Sequence, residues 1–346
     1  MAAADGLALL ASRLLLTPTS HAIRQQIITR QRASATQLWP AASVTACGSL
    51  VQGTSLRASD LDLVISLPPD KTYPDTISWA RRLQTLNSQH SEMMKPESSY
   101  VAKVKSMFLL HYESAAAGED VKVDVTFQRL EPMQGRDVFL CAQLDRFAGA
   151  REALVLLKAW MCFHGFAEPY TGGIGNYGLA LGLVACINFL SRTRPPVPTN
   201  AYGLVREYLR YFTDPDLPPW NGILDVRTGG IVKEQPFVSS ENYLMVMDPV
   251  VERHVIGGRG FRRMELREAM KGLLEVVERE GPGMGVDKAT EVFAGGDIEG
   301  AGEKRRPVVK EAIKRWKIET RERRREEGRV IAAALRGKRN GLVRRL

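Results

Sequence analysis

Gly48-Ser49 is followed after ten residues by Asp60-Leu61-Asp62. In an extended segment alternate residues share a face, so Asp60 and Asp62 point one way while Leu61, Leu63 and Ile65 point into a core. Two neighbouring carboxylates repel unless a cation lies between them. Hard oxygen donors on a rigid strand suit Mg²⁺ or Mn²⁺. A second alternating run, VKVDVTF, puts Val121, Val123, Val125 and Phe127 on one face and Asp124 on the other. Three carboxylates from two adjacent strands can hold two metal ions about 4 Å apart, the arrangement for in-line phosphoryl or nucleotidyl transfer. Gly48 lets the backbone approach a phosphate, and the Ser49 hydroxyl with nearby N–H groups can bond its oxygens. A lone Asp-x-Asp is more often a surface acid pair beside a turn; the Gly-Ser turn and the third acid together favour chemistry.

These residues need elements to hold them. Residues 42–53 predict a strand running into the Gly-Ser turn, and 60–67 a strand stopped by Pro68-Pro69. A helix is expected over 73–94. Strands are expected over 100–112 and 120–128, joined by a small-residue turn at Ala115–Gly118. Helices follow over 137–165, Tyr177–Leu190, 200–213 and 261–280, with short β-like runs in the Pro- and Gly-rich stretch 214–250. Residues 20–38 read as a helix capped by Thr19 or Ser20. Seven glycines mark 281–302 as a flexible linker, and Pro307 opens a charged helix to about Glu327.

The run CGSLVQGTSLRASDLDLVI, with VDVTF downstream, resembles the DNA polymerase beta nucleotidyltransferase superfamily. ALVLLKAWMCFHGFAEPYTGGIGNYGLALGLVACINFL, ILDVRTGGIV and MDPVVERHVIGG are similar to the helical part of noncanonical poly(A) polymerases and terminal uridylyltransferases. The resemblance covers roughly 18–280. It implies an α/β (α+β) fold: a nucleotidyltransferase palm with a small mixed, mostly antiparallel sheet, and a mainly helical PAP-associated domain. It also implies that Asp60, Asp62 and Asp124 are the catalytic metal ligands for two Mg²⁺ (or Mn²⁺) ions, and that Gly48, Ser49 and Lys158 bind the triphosphate. Asn176 would contact sugar or phosphate, and Tyr177 would stack on the base. His254, six residues after Asp248, matches a histidine near the uracil edge in uridylyltransferases, where poly(A) polymerases commonly carry asparagine. Val250 and Val251 depart from the aromatic and the acid usual there, and the polar contact expected before the lysine helix is not evident in LDRFAGARE.

The implied activity is transfer of UMP from UTP to an RNA 3′ end with release of pyrophosphate. ATP in a noncanonical poly(A) polymerase is the alternative, and a small-molecule nucleotidyltransferase or a non-catalytic RNA-binding subunit the more distant ones. The expected organisation is a leader or disordered segment over 1–17, a catalytic domain over 18–140 and a nucleotide-recognition domain over 141–280. The linker over 281–302 and a basic tail over 303–346 complete it. The first helix is expected to pack on the helical domain.

Composition sets the outer bounds. With 346 residues, 44% hydrophobic and 25% charged, the chain has the make-up of a globular protein of about two domains. No run approaches the roughly 20 uncharged apolar residues of a membrane span. Residues 302–346 hold 17 Lys/Arg against 6 Asp/Glu, so of the net +9 the tail carries +11 and the other 301 residues −2. A basic tail is a handle for a polyanion such as RNA, or for a protein partner. Cys47, Cys141, Cys162 and Cys186 form no CxxC pair, which points away from structural zinc or a disulfide framework and toward an intracellular setting. The acid-poor start, with Arg13, Arg24, Arg30 and Arg32, is similar to a transit peptide, leaving mitochondrial, cytoplasmic and nuclear locations open.

Overall fold

The structure, a computed structural model, describes residues 6–67, 76–90, 94–95, 99–104, 107–116, 119–127, 130–169, 172–214, 222–232, 245–257 and 262–296. The basic tail, the charged helix from Pro307 and the turn residues Ala117 and Gly118 lie outside them.

Alternation decides the first sheet. Its strands are β1 (Ser43–Cys47), β2 (Leu61–Ser66), β3 (Tyr100–Val104), β4 (Met107–Ala116) and β5 (Glu119–Phe127), in the order β1-β2-β5-β4-β3. Only β2 and β5 pair in parallel; the other three pairs are antiparallel. The sheet is therefore mixed and mostly antiparallel. Leu61, Leu63 and Ile65 of β2 and Val121, Val123, Val125 and Phe127 of β5 are buried on one face. That face is covered by α2 (Pro18–Leu38) through Ile23, Ile27 and Ile28 and by α3 (Thr76–Ser88) through Trp79 and Leu83. Trp39, Trp79 and Phe127 meet ring to ring, with centroids 5.7 to 6.5 Å apart. Burying each such side chain contributes roughly 1.5–3 kcal/mol.

A second core lies around two helices that are apolar on nearly every side, α5 (Ala150–Phe163) and α6 (Asn176–Thr193). It also takes in α1 (Gly6–Leu14), α4 (Glu131–Arg146), α7 (Ala201–Thr213), α8 (Arg263–Glu280) and α9 (Val286–Ala294). A second sheet of three-residue strands, β6 (Ile223–Asp225), β7 (Gly230–Val232), β8 (Met245–Met247) and β9 (Val255–Gly257), runs β7-β6-β8-β9.

Several expectations need correction. Residues 6–14 are not a disordered segment: Leu7, Leu10, Ala11 and Leu14 of α1 are buried in the helical core. The helix over 20–38 starts earlier, at Pro18, with the Thr17 hydroxyl accepting the Ser20 N–H at 3.1 Å. It packs on the first sheet, and α1 takes the place on the helical side expected for the first helix. The linker contains α9, whose Ala289 and Phe293 are buried. The helix over 137–165 is two helices, broken at Gly149, where φ is +81° and a Cβ would lie 2.6 Å from the backbone of Asn200. The strand over 100–112 is a hairpin of β3 and β4. Leu140 and Leu144 belong to the helical core, so the boundary expected after residue 140 falls inside α4.

Candidate active site

The register of the first sheet lines five residues up across five strands. Cys47 of β1 faces Asp62 of β2, Asp62 faces Asp124 of β5, Asp124 faces His111 of β4, and His111 faces Tyr100 of β3. Directly opposed residues share a face, so the row runs along the side of the sheet away from the α2–α3 core. Asp60 enters just before β2. Arg24, buried in α2, holds that entry by donating to the carbonyls of Arg57 at 2.8 Å and Ser59 at 3.3 Å while pairing with Glu119 at 2.9 Å.

His111 was not evident in the sequence. Its Nδ1 lies 2.5 Å from Asp124 Oδ1. That hydrogen bond raises the imidazole pKa against the lowering effect of burial, with Asp124, Asp60 and Glu113 adding charge attraction. Asp60 and Asp124 thus act on one ring at one edge. Asp124 Oδ1 is turned onto that ring, and among the described residues no three His, Cys, Asp or Glu side chains are gathered as a group that could hold a metal as they stand. The donor chemistry nevertheless fits a hard divalent cation: two strand carboxylates opposed in register, with a third two residues upstream.

The Gly-Ser turn closes one end of the row. Gly48, at φ +70°, opens a 3₁₀ turn, Gly48–Leu50, and a Cβ there would sit 3.0 Å from Asp62 Oδ2. The glycine therefore brings the turn and Asp62 into contact. The Gly48 N–H donates to Asp137 Oδ2 at 3.0 Å, and Gln52 Nε2 donates to Asp137 Oδ1 at 2.8 Å. Burial raises the Asp137 pKa, against the lowering effect of these two donors and of Arg136. Ser49 Oγ is 3.4 Å from Ser55 Oγ. Cys47, beside the turn, has its thiol pKa pushed up by burial and by Asp62 and Asp137, so it is not an activated nucleophile.

Lys158 lies within α5, 2% exposed, and its Nζ donates to the Thr54 carbonyl of the same loop at 2.7 Å. Burial lowers its pKa to about 8, against the raising influence of Cys162 and Asp62. A surface lysine would show none of this.

A second group forms around Asp248, whose side chain is fully buried. Arg136 donates to Asp248 Oδ2 from Nε at 3.0 Å and from Nη2 at 2.6 Å. His254 Nδ1 lies 3.0 Å from that oxygen and 3.2 Å from Arg136 Nη2. The Tyr177 hydroxyl donates to Asp248 Oδ1 at 3.3 Å, as do the amides of Val250 at 3.0 Å and Val251 at 3.3 Å. Burial alone would raise the Asp248 pKa; the hydrogen bonds from Arg136, His254 and Val250 outweigh it and hold the carboxyl below its usual range. The Arg136 guanidinium lies over the Tyr177 ring at 5.3 Å.

The sequence-derived residues therefore fall into two groups. Asp60, Asp62, Asp124, Gly48, Ser49 and Lys158 make one, and Tyr177 and His254 the other. Asn176 is exposed at the first position of α6, next to Tyr177, and among the described residues no hydrogen bond ties it to either group. Adjacent residues of α4 join the two: Asp137 grips the Gly48 turn, and Arg136 grips Asp248 and covers Tyr177.

Residues 5–130 match the model of the poly(A) RNA polymerase, mitochondrial-like, central palm domain. The chain is 23% identical over 266 residues to the inactive noncanonical poly(A) RNA polymerase protein Trf4-2 of Drosophila melanogaster, an alignment covering 70% of this chain and 60% of that protein. It thus spans about three-fifths of the length of that relative. The polymerase core of TRAMP, an RNA surveillance complex, superposes with a TM-score of 0.67 at 17% identity, covering 90% of this chain and 94% of that one. The Cid1 poly(U) polymerase with Mg 3′-dATP bound superposes with a TM-score of 0.63 at 16% identity, covering 79% and 93%. Residues 5–130 thus match a poly(A) polymerase palm model, and the chain has the fold of these two polymerase structures.

Proposed function

We propose that this chain, which shares its palm and its fold with the noncanonical poly(A) polymerases and terminal uridylyltransferases, is a template-independent RNA 3′-terminal nucleotidyltransferase. The observation that carries the reading is the opposition of Asp62 and Asp124 on adjacent strands, with Gly48 packed on Asp62 and Lys158 buried behind the same loop. Asp60, Asp62 and Asp124 would hold Mg²⁺ or Mn²⁺, which when bound would neutralise triphosphate charge and acidify the attacking hydroxyl. Gly48, Ser49 and Lys158 would receive the β- and γ-phosphates. The RNA 3′-oxygen forms a bond to the α-phosphorus, the bond from that phosphorus to the β-bridging oxygen breaks, and pyrophosphate leaves. The hydroxyl proton passes through the acidic row to water.

UTP is the preferred nucleotide in this reading, with ATP the competitor. Asp248 fixes the Tyr177 hydroxyl and the His254 ring in one group, so a base stacked on Tyr177 meets an imidazole whose Nδ1 is already engaged. The relatives' names, which include poly(A) and poly(U) polymerases, favour neither base. One relative is named inactive; the presence of all three aspartates here favours a working enzyme. The test is extension of a labelled RNA with Mg²⁺ and each of the four NTPs, repeated with His254→Asn. Preference for UTP that shifts toward ATP in the variant is the expected result. Extension with no NTP would reject the activity, and an unchanged preference in the variant would reject the role of His254.

A further inference from the structure

The row across the sheet has two ends, and the proposed function uses only one. At the first end Cys47 leads into the Gly48-Ser49 turn; at the other, His111 and Tyr100 continue past Asp124. We propose that Tyr100, held against His111, is the stacking platform for the 3′-terminal base of the acceptor RNA. This rests on the reading of the chain as an RNA nucleotidyltransferase.

Direction comes first. In-line displacement places the attacking oxygen opposite the leaving group. If pyrophosphate departs at the Gly48 turn, beyond Asp62, the attacking 3′-oxygen must arrive from the far side of Asp124. That side is β4 and then β3. With strands about 4.8 Å apart, Tyr100 lies two strand spacings, about 10 Å, from Asp124. A nucleoside with its 3′-oxygen at the carboxylates has its base at about that remove.

Chemistry comes second. The Tyr100 and His111 ring centroids are 4.9 Å apart and the planes tilt by 31°. His111 is fixed in turn by Asp124 at 2.5 Å. Yet Tyr100 is 53% exposed, one of the few large apolar side chains so open to solvent among the described residues. A half-exposed ring that is positioned by a neighbour has less rotamer freedom to lose when a ligand arrives. Every base has a π-face, so such a platform is sequence-tolerant, as a template-independent enzyme requires.

The experiment uses the full chain and two RNAs, one with 2-aminopurine at the 3′ terminus and one with it at an internal position. Binding is followed by fluorescence in EDTA, so no transfer occurs. The wild-type protein should quench the terminal probe more strongly than the internal one. Tyr100→Ala should abolish that difference, while Tyr100→Phe and Tyr100→Trp keep it. In Mg²⁺, Tyr100→Ala should raise the RNA KM about tenfold and leave the NTP KM within twofold. Equal quenching at both positions in the wild type would overturn the proposal, as would a Tyr100→Ala protein that matches the wild type in quenching and RNA KM. Thermal melting checks that the exposed substitution leaves the fold intact. If no RNA is extended by any NTP, the proposed activity fails, but the binding measurement in EDTA still decides the platform.

Discussion

At the residue scale the account turns on charges that are buried before a substrate arrives. Lys158 keeps its ammonium on one carbonyl, with a pKa lowered to about 8. If that ammonium meets the triphosphate, the NTP KM should be flat below about pH 8 and rise as pH climbs through that value, and Lys158→Arg should extend the flat region upward. A KM that ignores pH between 7 and 9 in the wild type would remove Lys158 from the phosphate site. For stability the sign is opposite. An unfolded lysine keeps its proton to about 10.4, so the cost of burying the charge is full below about 8 and fades as pH rises through the unfolded value. Which way the aspartates face was legible because strand alternation fixes it; Gly48 was legible from the turn it opens, and Lys158 only through the resemblance. His111, Arg136 and Asp137 were not. Their partners lie 13, 112 and 89 residues away in the chain, and cross-strand register or helix docking, not spacing, brings them together.

At the scale of elements, the strands on either side of the acids followed directly from alternation, and the two apolar helices from their unbroken runs. The misreadings have particular causes. Gly149 lies inside the single helix expected over 137–165, and its positive φ and close approach to Asn200 make it a break. The glycines at 281–285 suggested a linker, but Ala289 and Phe293 are spaced to face one core, and burial of that face overrides a flexible composition. Residues 6–14 fall in the segment expected to be a leader or disordered, and the spacing of Leu7, Leu10 and Leu14 puts one face of an ordered helix in the helical core. That helix now carries a prediction. Leu10 is fully buried, so Leu10→Ala should lower unfolding free energy by about 2–5 kcal/mol in a denaturant titration. A loss under 0.5 kcal/mol would mean that α1 does not pack into the helical core.

At the scale of the whole molecule, a near-neutral body of net −2 carries a tail of net +11. Such a segment should act on RNA through phosphates, releasing counterions. Truncation after Gly302 is expected to raise the RNA KM and to flatten its dependence on salt, and unchanged RNA binding would assign the tail to a protein partner instead. Among the described residues no helix is long and apolar enough to cross a membrane. The two-part architecture was legible through the resemblance, but the way α4 ties the parts together was not, since that depends on three-dimensional docking. The central claim is that Asp62 and Asp124 form one catalytic edge with the Gly48 turn. The most direct measurement is extension of labelled RNA in Mg²⁺ and NTP by the wild type beside Asp62→Ala and Asp124→Ala, each checked for an unaltered melting curve. Extension by the wild type and a loss of at least about a thousandfold in either variant is the predicted result; full extension by either folded variant would contradict it.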